Sequence, residues 1–167
     1  SKHGIYSISE CLKKLTSLES LSLALTRNEN VDSKELQILC SSLDKLPNLK
    51  CLKLDFSGNE GPPNQSVYYL SRKLKRMTFL KQIHLNFYNY GCMDDVGLEK
   101  LCQGLSKLYS LQDIHLELCQ SHMLTETRMQ SLGQTLRVLP CLKNIRLDFA
   151  LSQIRDQGLL YLAQDLK

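Results

Sequence analysis

LKCLKLDF, residues 49–56, places leucine or phenylalanine at its first, fourth, sixth and eighth positions, with Lys53 and Asp55 between the last three. Apolar residues at every second position mark a strand with one buried face. The string returns as LESLSLAL at Leu18, LKQIHLNF at Leu80, LQDIHLEL at Leu111 and LKNIRLDF at Leu142, always 31 residues apart. A fixed interval of that size is the mark of a stacked-repeat architecture. Five short strands are predicted.

The second half of each unit keeps the same interval with a different rhythm. Leu36, Leu39, Leu43 and Leu46 recur as Val67, Leu70, Leu74 and Met77, as Leu98, Leu101, Leu105 and Leu108, and as Met129, Leu132, Leu136 and Leu139. Steps of three and four residues build one face of a helix. Ile5, Ile8, Leu12 and Leu15 stand one period earlier, so residues 1–15 read as the helix of an incomplete repeat. Leu159, Leu162 and Leu166 open a last helix one residue early, as a shortened loop requires. The expectation is one domain over residues 1–167, with repeats starting at 18, 49, 80, 111 and 142; the lack of polar capping units suggests a fragment of a longer array, the alternative being a short natural protein whose ends are covered by partners.

One unit buries too few side chains to offset the entropy of ordering it, so the units must stack. Parallel strands repeat at about 4.8 Å and helices at about 8–10 Å, which curves the stack with its strands inside. Asp32, Asn64, Asp95, Thr125 and Asp156 precede the helical patterns and are expected to be N-caps. The connector SGNEGPPNQS, residues 57–66, contains Pro62 and Pro63 and reads as an exposed loop.

Composition narrows the function. At 167 residues, with 43% hydrophobic and 23% charged side chains, the chain is globular and too short for a multidomain enzyme. No apolar run approaches the roughly 20 residues of a membrane helix. A net charge of +4 falls short of a nucleic-acid-binding stripe. The seven cysteines are odd in number and contain no Cys-x-x-Cys pair, so they read as reduced thiols in a cytoplasmic setting, with neither a disulfide framework nor a zinc knuckle.

The pattern L-x-x-L-x-L-x-[LF] followed by a leucine-faced helix resembles the leucine-rich repeat in its longer, ribonuclease-inhibitor-like form, over nearly the whole chain. The resemblance implies an α/β solenoid with a curved parallel sheet inside and helices outside, and a protein-binding rather than enzymatic role. One departure stands out. The ninth place after each strand start holds Thr26, Ser57, Tyr88, Cys119 and Ala150, so no continuous Asn ladder follows the strands, although Asn28 and Asn59 occur two places later.

With alternate positions buried, the third, fifth and seventh places of each unit project from the concave face in columns. Ser20, Cys51, Gln82, Asp113 and Asn144 form one column. Ser22, Lys53, His84, His115 and Arg146 form a basic one, and Ala24, Asp55, Asn86, Glu117 and Asp148 an acidic one. Lys53, Asp55, His84, Asn86, His115, Glu117, Arg146 and Asp148, with Tyr88 and Tyr90 as aromatic anchors, are the candidate contacts for a protein partner. His84 and His115 should be ladder neighbours about 4.8 Å apart. Two imidazoles and a carboxylate could hold zinc, but nothing in the spacing demands it, and no cofactor is expected. Protonating both histidines would place like charges together, so partner binding is expected to change between about pH 7.5 and 5.5. Cys51 and His84 are two places out of step, which argues against a cysteine nucleophile, and no phosphate loop, nucleophile elbow or His-Glu-x-x-His is present.

Two other functions compete with the scaffold. Some arrays of this family resemble GTPase-activating proteins that present an arginine from a strand-to-helix loop, and Arg27 is the arginine so placed. The cluster SRKLKR, with Arg72, Lys73, Lys75 and Arg76, could touch RNA. Self-association is expected to be open to the chain through unpaired strands at its ends.

Overall fold

The computed structural model describes residues 2–27, 33–59, 63–89, 94–118, 125–150, 152 and 154–166. Helices and strands alternate as α1 (Lys2–Leu12), β1 (Ser20–Ala24), α2 (Ser33–Leu43), β2 (Cys51–Asp55), α3 (Pro63–Leu74), β3 (Gln82–Asn86), α4 (Asp95–Leu105), β4 (Asp113–Glu117), α5 (Glu126–Arg137), β5 (Asn144–Asp148) and α6 (Asp156–Asp165). The strands form one parallel sheet in chain order, each residue paired with the one 31 positions later, as in Lys53 with His84 and His84 with His115. The architecture is the expected α/β leucine-rich-repeat solenoid, with a sheet wall on one side and a helix wall on the other.

The core lies between the two walls. Leu52, Leu54, Ile83, Leu85, Ile114 and Leu116 enter it from the sheet, and Leu36, Leu70, Leu98, Leu101 and Leu132 meet them from the helices, all buried. The end units bury less. Ile145 on β5 is 43% exposed, and Leu159 and Leu160 on α6 are exposed, because no further unit covers them among the described residues.

Small side chains let neighbouring helices approach. Ser9, Cys40, Ser71, Cys102 and Gly133 share the 31-residue interval, and all are buried. A Cβ on Gly104 would sit 2.9 Å from Ser71 Cα, so α4 lies almost on the backbone of α3. Cys40 and Cys102 are small apolar spacers here, and burial pushes their thiols up to about 12 and about 11. That keeps them protonated and unreactive. Cys11, Cys51 and Cys141 are also free thiols, while Cys92 and Cys119 lie outside the described residues.

The bend after each strand follows one scheme. Backbone pairing runs past the strand ends, with Phe56 N–H donating to Asn86 O and Gly58 N–H to Tyr88 O. Asp55, Asn86 and Asp148 accept from the amide two residues on, at 2.8–2.9 Å, and so turn the chain out of the sheet. Arg27, Gly58 and Asn89, again 31 apart, adopt positive φ of 50°, 69° and 50°. Glycine takes that conformation without strain and asparagine with little, whereas arginine does so at a cost.

The missing Asn ladder resolves into two different side chains. Asn59 is buried and its Nδ2 donates to Leu25 O at 2.6 Å and Phe56 O at 2.7 Å. Three units on, Ser152 Oγ donates to Leu118 O at 3.2 Å, the counterpart of the Asn59 bond to Leu25.

The capping expectations shift by a residue or more. Asp94, not Asp95, caps α4, accepting from Val96 and Gly97 amides, which frees the Asp95 carboxylate to accept from the Thr125 amide and hydroxyl at 2.8 and 2.7 Å. Arg155 takes the cap position of α6, so Asp156 is its first helical residue, where a carboxylate favours the positive end of the helix dipole. Pro63 opens α3, a position that needs no amide donor, so Asn64 lies inside the helix rather than before it. Thr125 does stand at the cap of α5, without a side-chain capping bond. Asp32 lies outside the described residues.

Candidate functional site

Lys53, Asp55, His84, Asn86, His115, Glu117, Arg146 and Asp148 all lie on the sheet face away from the helices, in the columns the 31-residue interval assigns. Tyr88 follows β3 with its side chain 40% exposed, and Tyr90 lies outside the described residues.

The three columns differ in how far their side chains are already engaged. In the first, the Asp113 carboxylate accepts from Gln82 Nε2 at 3.1 Å and from Asn144 Nδ2 on the other side. In the third, Asp55, Asn86 and Asp148 build the turns described above, so their first task is structural. Glu117 stands in the same column with one more methylene, and its carboxylate reaches back across the sheet to His84.

That reach makes the centre of the face. His84 Nε2 lies 2.8 Å from Glu117 Oε1, and His115 Nε2 lies 3.4 Å from the same oxygen. The two imidazoles stack with centroids 4.0 Å apart and planes 13° from parallel. The register predicted their adjacency; the diagonal bond from His84 to Glu117, two positions out of step on the next strand, it did not. His115 is held below the usual histidine range, chiefly by burial and next by the charge of His84, with Arg146 adding to this and Glu117 and Asp148 opposing it.

A second feature escaped the sequence reading. The segments that lead from helix to strand, residues 13–19, 44–50, 75–81, 106–112 and 137–143, carry ten Lys and Arg against Glu19 and Asp44. The rest of the chain carries eleven against fifteen carboxylates and is net acidic. Lys14, Lys45, Arg76 and Lys107 repeat at one 31-residue interval, Lys50, Lys81 and Lys143 at another, and all seven are exposed. They line one edge of the solenoid, a polarity that a net charge of +4 conceals. Applying the repeat interval to charged residues as well as apolar ones exposes it.

On this edge a notch of about 210 Å³ opens between Leu43, Leu46, Pro47 and Met77, flanked by Asp44, Lys73 and Arg76. Phe79 borders it and is 71% exposed. Asp44 pairs with Lys73 and lies 3.8 Å from Arg76, while Arg72 rests over the Tyr68 ring at 5.8 Å. The SRKLKR cluster is therefore divided between the notch and the outer helix face. Arg27 occupies the positive-φ corner after β1, with its Cγ where a Cβ on Gly58 would come within 2.9 Å. Its stem fills the space above that glycine.

No family model matches the sequence, and no curated protein does. Among solved structures, the tropomodulin C-terminal domain of Caenorhabditis elegans is similar, with a TM-score of 0.67 at 10% identity, over 97% of this chain and 90% of that one. The likeness is one of fold: the same leucine-rich-repeat-like path on a nearly unrelated sequence. No helix among the described residues is long and apolar enough to cross a membrane.

Proposed function

We propose that this chain is a non-enzymatic, protein-binding array of ribonuclease-inhibitor-like repeats that holds a polypeptide partner across its sheet face in a cytoplasmic setting. The observation that carries the reading is the sheet face itself, with polar side chains in strict register bordered by a cationic edge. Solenoids use such faces for docking, and a charge gradient across one fixes a partner's direction. The partner it fits is acidic where it crosses the edge, with an apolar side chain for the notch beside Phe79. The residues of the face serve as contacts.

Quantitative affinity capture tests this with the intact chain, a Lys53→Glu/Arg146→Glu variant on the face and a Lys45→Glu/Lys107→Glu variant on the edge. Each variant is expected to lose the same partner at least tenfold while keeping its helical circular dichroism. Identical capture by all three chains overturns the reading.

The cationic edge favours a second reading, RNA running along it in place of the α3 cluster. It predicts an affinity that falls linearly on a log scale with salt, by roughly one power per phosphate contacted. Arg27 supports a GTPase-directed role less well, because its backbone strain and stem packing serve the first turn.

A further inference from the structure

Three donor atoms converge on the concave face in a geometry that goes beyond partner docking. One ring nitrogen each of His84 and His115 and a Glu117 carboxylate oxygen lie within 4.8 Å of one another. Tetrahedral zinc with bonds of about 2.0–2.1 Å needs its ligand atoms about 3.3 Å apart. The His115 to Glu117 separation of 3.4 Å already meets that figure, and the 2.8 Å between His84 and Glu117 is a hydrogen bond whose proton a cation replaces.

The second observation is an unpartnered ring nitrogen. His115 Nε2 is buried and has no hydrogen-bond partner. A ring nitrogen sealed from water beside a carboxylate is suited to a cation. The surroundings agree in sign: Asp55, Asp113, Glu117 and Asp148 outnumber Lys53 and Arg146 on the same face.

We propose that His84, His115 and Glu117 form a three-ligand site for a divalent cation of the zinc type, its fourth position open to the concave side. Binding turns each imidazole about χ2, so that the two Nε2 atoms face one centre and the ring stack opens. Two imidazoles and one carboxylate suit zinc and its neighbours better than calcium or magnesium, which take oxygen ligands.

The test must separate this site from the seven cysteines. The intact chain, kept reduced, is titrated with cobalt(II) and followed by visible and near-ultraviolet absorption, with zinc binding measured in parallel by calorimetry at about pH 7.5. One equivalent is expected, with tetrahedral d–d bands and no thiolate-to-cobalt charge transfer. His84→Gln, His115→Gln and the near-isosteric Glu117→Gln should each weaken binding at least about tenfold, whereas Cys51→Ser should leave it unchanged. The proposal is overturned by no uptake up to about 1 mM metal. A thiolate band, or an affinity indifferent to the three ligand substitutions, overturns it equally.

Discussion

Asn59→Ala offers the sharpest probe of how the array is held together. Asn59 is 2% exposed and ties two carbonyls, Leu25 O in the first unit and Phe56 O in its own, through bonds of 2.6 and 2.7 Å. Alanine removes both donors from a site that water does not reach. Each lost bond is worth about 1 kcal/mol net, and a buried carbonyl left short of a partner adds about 1 kcal/mol or more, for a total of about 2–4 kcal/mol. For a chain of this length that corresponds to roughly 5–15 °C in midpoint temperature. Ser152→Ala is the internal comparison, since it removes the longer, 3.2 Å bond to Leu118 O in the last unit, and its cost should be the smaller of the two. Urea and thermal unfolding followed by far-ultraviolet circular dichroism give both values. A loss below about 0.5 kcal/mol for Asn59→Ala, or one no larger than for Ser152→Ala, would refute the assignment of Asn59 as the internal tie between the first two turns.

Gly104→Ala should destabilise by about 1–2 kcal/mol despite its better helix propensity, because the new methyl meets the Ser71 backbone at 2.9 Å; Gly158→Ala, facing movable side chains of Ile154 and Met129 at 3.1 and 3.3 Å, should be neutral or stabilising in the same urea titration. Arg27→Gly should raise stability by about 0.5–1 kcal/mol by relieving the positive φ, and a melting curve lowered by this change refutes the assignment of strain to that corner. His115 has its folded-state pKa lowered from 6.5, so the folded chain binds fewer protons than the unfolded one. Its contribution is present above about pH 6.5 and lost as pH falls through that value toward the lower folded-state pKa. In the presence of a chelator, His115→Gln should therefore flatten the acid limb of the stability profile below about pH 6.5, and an unchanged limb rules this out.

The register was legible because two independent periods agree. The two-residue alternation in 49–56 and the 31-residue interval together leave one pairing for Lys53, His84, His115 and Arg146, and the strands adopt it. The helix caps were less legible because adjacent acids compete. Asp94 and Asp95 are equally good caps by type, and Asp94 takes the cap while Asp95 accepts from Thr125, 30 residues later, a long-range contact that local sequence does not encode. The bond between His84 and Glu117 was hidden for a related reason: it crosses strands diagonally, and only a side chain as long as glutamate spans that offset. The stem of Arg27 above Gly58 depends on backbone angles that no periodicity encodes. The cationic edge was present in the sequence but masked by summing its charges with those of an acidic remainder.

Helix touches helix and strand touches strand only in adjacent units among the described residues. Length variation in the packed elements of such a chain therefore comes most simply in whole units. Excising residues 49–79 joins Asn48 to Leu80 and restores equivalent neighbours on both sides of the seam, whereas a cut of thirty or thirty-two residues whose seam falls inside a strand or helix puts that element's side chains out of phase, and only a connector, like the one shortened by a residue before α6, absorbs the difference. Relatives that differ by whole multiples of thirty-one can share one backbone plan and still present longer or shorter faces to different ligands.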